Sequence, residues 1–183
     1  MKSIERQPVV AVGLMTGVET VRFELKGEFA DADGVLFAAG TYQAVSGCNR
    51  VEIIDASRRR FGSSDEIRLS PIAESSSFLV RDVVIGIEFH WEQKQDQQFQ
   101  GVLRLKLNAD KRLTVINEVP VEAYLTSVIS SEMSAMADAE LLKAHAIISR
   151  SWLLAQLPQW KTPRVKSEPK IEEVNGERQL IRW

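Results

Sequence analysis

The chain has 183 residues, 44% hydrophobic and 26% charged, a composition that folds around a core and fits one large domain or two small ones. Its 23 basic and 25 acidic side chains leave a formal charge of -2, which excludes a global electrostatic pull toward nucleic acid or an anionic membrane. The single cysteine, Cys48, excludes an internal disulfide and a cysteine-based zinc cluster within the chain.

The first eight residues are polar, and the apolar run Val9–Val12 that follows is too short for a signal-peptide core. No uninterrupted apolar segment is long enough to span a bilayer. A β-like region comes next, with short runs of Val, Ile and Phe broken by Gly, Asp and Asn. Val9–Leu14, Thr20–Leu25, Gly34–Phe37, Thr41–Val45, Val51–Ile54 and Ile67–Leu69 read as strands. Ala30–Gly34 and Ser46–Asn49 read as turns, because Gly, Asn and Asp tolerate positive φ. Arg58-Arg-Arg60 reads as a solvated turn rather than an anion site. Phe78–Val84 and Ile85–Trp91 form two strands or one bent one. Within the second, Phe89-His-Trp-Glu92 is a candidate sugar-stacking element, or simply a strand end with a packed Trp. Val102–Leu107 alternates apolar and polar, Asn108–Lys111 turns, and Leu113–Ile116 returns as its hairpin partner.

The period becomes helical after Asn117. Pro120 suits the first position of a helix, where its missing N–H costs nothing. Val121, Tyr124, Leu125, Val128 and Ile129 then form an amphipathic stripe. Asp138 is the expected N-cap of a second helix. Its buried stripe is expected to run through Leu141, Ala144, His145, Ile148, Trp152 and Ala155, widened by Leu142, Ala146, Ser149 and Leu153. Pro158 ends it. Residues 161–177 turn to Lys, Glu, Pro and Gly, a connector composition. The expected organisation is α+β: a β-rich region over 1–116, a helical segment over 117–160 carrying the candidate glutamate, and a connector over 161–183.

That glutamate is Glu132, in the polar gap Val128-Ile-Ser-Ser-Glu-Met133 between the two helical patterns. Lys143 and Arg150 are two turns apart on the second helix and project from nearly the same side. If that side faces Glu132, two cations lie near one carboxylate, with Met133 and Met136 as apolar walls. The residues alone leave two readings open. Either Glu132 caps a helix or pairs with Lys143 at the surface, or it donates and accepts a proton.

Three stretches carry a resemblance. Ile116-Asn-Glu-Val-Pro-Val-Glu-Ala-Tyr-Leu125, Val128-Ile-Ser-Ser-Glu-Met133 and Leu142-Lys-Ala-His-Ala-Ile-Ile-Ser-Arg150 are similar to the stage II sporulation protein D / LytB family. The family reads as a Pro-x-Glu-x-Tyr-Leu element, a Glu-Met pair and a Leu-Lys-Ala-Gln-Ala helix ending in Arg-Thr-Tyr. Its members are peptidoglycan lytic transglycosylases, or were described as enhancers of cell-wall amidases. The resemblance places the catalytic glutamate on Glu132, the helix lysine and arginine on Lys143 and Arg150, and the tyrosine of the first helix on Tyr124. This chain departs from the pattern at His145, where the family has glutamine, and at Trp152, where it has tyrosine. Histidine keeps one hydrogen-bonding role of the amide and adds a titration near neutral pH.

The resemblance implies cleavage of the bond between N-acetylmuramic acid and N-acetylglucosamine, with Glu132 as sole acid and base and no cofactor. It leaves Lys143 and Arg150 to orient the glutamate or to bind a lactyl carboxylate. The implied partners are glycan strands of peptidoglycan and other cell-wall enzymes, not nucleic acid. The implied location is the cell envelope or exterior, although the N-terminus shows no export signal. Family members continue into a second half with a cysteine and a histidine that bind zinc in some of them. The chain is therefore expected to correspond to the N-terminal portion, with no metal site of its own. The alternative is a non-catalytic glycan-binding or amidase-modulating module.

Overall fold

The structure is a computed structural model and describes residues 7–47, 49–85, 90, 93–133, 137–157, 172–174 and 177–179. In chain order it runs β1 (Val9–Val18), β2 (Thr20–Lys26), β3 (Phe29–Ala30), β4 (Leu36–Phe37), β5 (Gly40–Gly47) and β6 (Arg50–Asp55). Then come β7 (Arg60–Ser64), β8 (Glu66–Pro71), β9 (Ser77–Ile85), β10 (Gln93–Gln100), β11 (Val102–Leu107) and β12 (Leu113–Pro120). Two helices follow, α1 (Val121–Glu132) and α2 (Ala139–Gln156), and then the short hairpin β13 (Glu172–Val174) and β14 (Glu177–Gln179). The chain divides after Tyr124 into two compact units.

The first unit is two antiparallel six-stranded sheets, ordered β1-β12-β11-β8-β3-β4 and β10-β9-β2-β5-β6-β7. Alternation decides which side chains face inward, because successive strand residues point to opposite faces. Val21, Phe23 and Leu25 of β2 are buried while Arg22 and Lys26 stay outside; Leu103 and Leu105 of β11 do the same on the other sheet. Both inner faces meet in one cluster, with Phe23, Ala44, Ile53, Phe78 and Val80 from one sheet and Leu69, Leu103, Leu105, Leu113 and Val115 from the other. Aromatic edges help fill it, Phe29 meeting Phe78 in a T-shaped pair with ring centroids 6.4 Å apart.

Several boundaries differ from the sequence expectation. The strand expected to stop at Ile116 runs on to Pro120, because Asn117 and Val119 keep the inward alternation. Pro120 is thus the last strand residue, opposite Val9, and not the first helical one. Val121 N–H donates to Pro8 C=O at 2.9 Å, and the helix begins there. The strand expected at Gly34–Phe37 shrinks to Leu36–Phe37, since Asp31 Oδ1 accepts the N–H groups of Asp33 and Val35 and holds a turn. β7 and β10 were not expected. β10 reads Gln-Lys-Gln-Asp-Gln-Gln-Phe-Gln and gives no apolar alternation, because as an edge strand it is wetted on both faces. Of Phe89-His-Trp-Glu92, only His90 lies among the described residues, exposed in a turn.

In the second unit, α1 contributes Leu125 and half-buried Val128 and Ile129, as the stripe requires. Ser130 and Ser131 close its last turns, their hydroxyls donating to the carbonyls of Thr126 and Val128 at 2.7 Å each. Asp138 caps α2 as expected, accepting Glu140 N–H at 2.8 Å. The expected α2 stripe is corrected. Leu141, Ala144, Ile148 and Trp152 are exposed, Ile148 at 66% and Trp152 at 56%. Ala155 is exposed too, while Leu142, His145, Ala146, Ser149 and Leu153 of the expected face are covered. Apolar residues occur all round α2, and Leu142, Lys143 and Ala146 line a groove together with residues of α1. Among the described residues, no helix is long and apolar enough to cross a membrane.

Candidate functional site

Glu132 is the last residue of α1 and not part of a loop. Its side chain is 57% exposed. His145 Nε2 on α2 lies 3.5 Å from Glu132 Oε2, and its side chain is 28% exposed. The other ring nitrogen, Nδ1, is buried and has no hydrogen-bond partner among the described residues. The imidazole is therefore held by its helix and opens toward the carboxyl.

Beside this pair is a groove of about 470 Å³ lined by Thr126, Ile129, Ser130 and Met133 of α1 and its end, and by Leu142, Lys143 and Ala146 of α2. Neither Glu132 nor His145 lines it, but Met133 and Ser130, one and two residues from Glu132 in sequence, do. Met133 is the apolar wall that the sequence suggested; Met136 lies outside the described residues.

The basic residues are arranged differently from the simplest expectation. Lys143 Nζ bonds Glu140 Oε1 at 2.7 Å, an i,i+3 pair at the surface. Arg150 is half-buried and has an interaction partner. Tyr124 is half-buried on the α1 stripe and belongs to the first unit. Of the residues singled out by sequence, Glu132 and His145 are the two that meet in a described contact. The groove positions Ile129, Leu142 and Ala146 were read only as helix packing, and Thr126 was not singled out. Their i, i+3, i+4 spacing marked an apolar face but could not say that two such faces would leave a gap.

The other polar clusters lie in the first unit. Arg104 spans Glu66 at 2.7 Å and Glu118 at 3.3 Å, and Glu118 also holds Arg68 at 2.7 Å. On the second sheet Arg81 bridges Glu24 at 3.1 Å and Asp96 at 2.5 Å. The Arg81 hydrogen bond, joined by Asp82 N–H, holds the Asp96 carboxyl below the usual carboxylate range. These groups pair with one another across strands, although Arg104 Nε is buried without a partner among the described residues. Among the described residues, no group of three or more His, Cys, Asp and Glu could hold a metal ion.

Fold and site together define a β-rich α+β protein with an acid–imidazole pair at a helix junction. Residues 109–179 match the family model SpoIID, stage II sporulation protein. The match supports membership of the SpoIID family and a sporulation function related to the cell wall. The matched stretch takes in β12, both helices and the β13–β14 hairpin, and with them Tyr124, Glu132, Lys143, His145 and Arg150. No curated protein and no solved structure matches the chain.

Proposed function

We propose that the chain is a lytic transglycosylase of peptidoglycan and that Glu132 is its acid and base. The observation that carries this reading is a solvent-accessible carboxyl at the end of α1, within 3.5 Å of an imidazole, inside the SpoIID-matching segment. Hydrolytic glycosidases ordinarily use two carboxyl groups. A transglycosylase closing an internal ring can use one. Glu132 gives its proton to the bridging oxygen as the bond from muramic acid C1 to that oxygen breaks. The C6 hydroxyl oxygen of the same sugar bonds to C1, and its proton returns to Glu132. The products are a shortened strand and a 1,6-anhydro end, with no water consumed.

Glu132→Gln is the test. Wild-type protein is expected to shorten purified glycan strands lacking stem peptides and to leave anhydro ends. The variant is expected to form none, with an unchanged circular dichroism spectrum and melting temperature. Undiminished anhydro product from Glu132→Gln would falsify the mechanism.

The exposure of Glu132 favours a second reading, because a proton-donating carboxyl is ordinarily enclosed. In that reading the chain is a non-catalytic glycan-binding or amidase-modulating module. Glycan strands retained by the wild-type protein but not shortened would establish it.

A further inference from the structure

We infer that His145 is the positioning residue for Glu132, its Nε2 side held toward the carboxyl. This rests on the lytic transglycosylase reading and assigns a role that the reading leaves open.

An exposed glutamate has three side-chain torsions, and ordering it costs rotamer freedom. Glu132 ends its helix, so nothing C-terminal to it in α1 restrains those torsions. His145 is the better anchored partner. It sits in the covered series of α2, with Leu142 and Ser149 one turn to either side. Its Nε2 stands 3.5 Å from Glu132 Oε2. That is longer than a good hydrogen bond, but such contacts are often long before substrate binds and tighten in the complex.

The buried Nδ1 sets the direction of donation. A buried N–H without a partner is rarer and costlier than a buried lone pair without one. Nδ1 is enclosed and unpartnered among the described residues, so it carries the lone pair and the proton sits on Nε2, toward the carboxyl. The nearby ammonium of Lys143 is bonded to Glu140, so the positive charge of α2 closest in sequence to His145 does not replace the imidazole.

A neutral donor of similar reach should substitute for the imidazole. Glutamine places an N–H about where histidine places Nε2; leucine places none. His145→Leu is expected to lower turnover of glycan strands about ten- to a hundredfold, the scale of a misplaced catalytic group, with KM within about threefold. His145→Gln is expected to recover most of that loss.

A spectroscopic readout stands apart from activity. The chain has two histidines, so nitrogen-15 spectra of labelled protein can be assigned by comparison with His145→Gln. His145 is expected to show the Nε2–H tautomer, and its signals are expected to move in Glu132→Gln. Wild-type turnover in His145→Leu with Glu132→Gln inactive would overturn the positioning role and leave the function standing. So would equal losses in His145→Leu and His145→Gln. Should His145→Leu not fold, imidazole signals indifferent to Glu132→Gln overturn the proposal by themselves. Activity in Glu132→Gln would remove the transglycosylase reading and this role together.

Discussion

Gly101 shows how far a single position is constrained. It joins β10 to β11 at φ +95°, a region that L side chains rarely adopt. A Cβ placed there would sit 2.4 Å from the backbone oxygen of Glu118. That oxygen belongs to β12, so it cannot move aside as a flexible side chain would. The two faults coincide, and Gly101→Ala is expected to destabilise the sandwich by about 1–3 kcal/mol, the range for held backbone strain. Urea unfolding checks this: a midpoint equal to wild type would show that the connection between the two sheets relaxes freely. At the same scale, the acid–imidazole contact was only half legible. Glu132 and His145 both stand out in the sequence, one by its setting and one by its departure from a pattern. Their meeting depends on how α2 rotates against α1, and two competing apolar stripes on α2 left that rotation undetermined.

Among elements, legibility followed the contrast between the two faces of each strand. β2 and β11 bury one face and wet the other, so a period of two was visible in each. β10 buries little, and its register depends on polar contacts that composition cannot reveal. Its partner β9 carries a bulge, with Arg81 and Asp82 set against Asp96 and Asp82 at φ +58°. Asp96 pins this irregularity by binding Arg81 and accepting Asp82 N–H. Its carboxyl is held below the usual range, first by the Arg81 hydrogen bond and then by that N–H. A depressed carboxylate contributes stability that is present above its unfolded pKa, near about 4, and lost as pH falls through the folded value. Asp96→Asn should therefore unfold at lower urea than wild type at about pH 7, and the gap should narrow at acid pH, as pH falls through the folded value. A gap of equal size at both pH values would mean that the ion pair does not hold the bulge.

For the whole molecule, the switch from period two to period 3.6 was readable and located the junction of sheets and helices to within a few residues. The distribution of stability was not readable, since apolar side chains occur throughout. The sheets bury Phe23, Phe29, Phe37, Phe78, Leu103 and Leu105 almost completely. Among the described residues of the second unit, the buried apolar side chains are Leu125 and Leu153. Protection from hydrogen exchange tracks local burial, and elements that carry chemistry are often drawn from the less stable end. Amides of α2 are accordingly expected to exchange well before those of β11 and β12 in native buffer. Leu103→Ala is expected to cost about 2–5 kcal/mol and to speed exchange across the sheets. Helix amides as slow as those of the central strands would contradict this ranking. They would mean that α2 is stabilised to the same degree as the sandwich, and that the exposed side of Leu141, Ile148 and Trp152 costs it nothing.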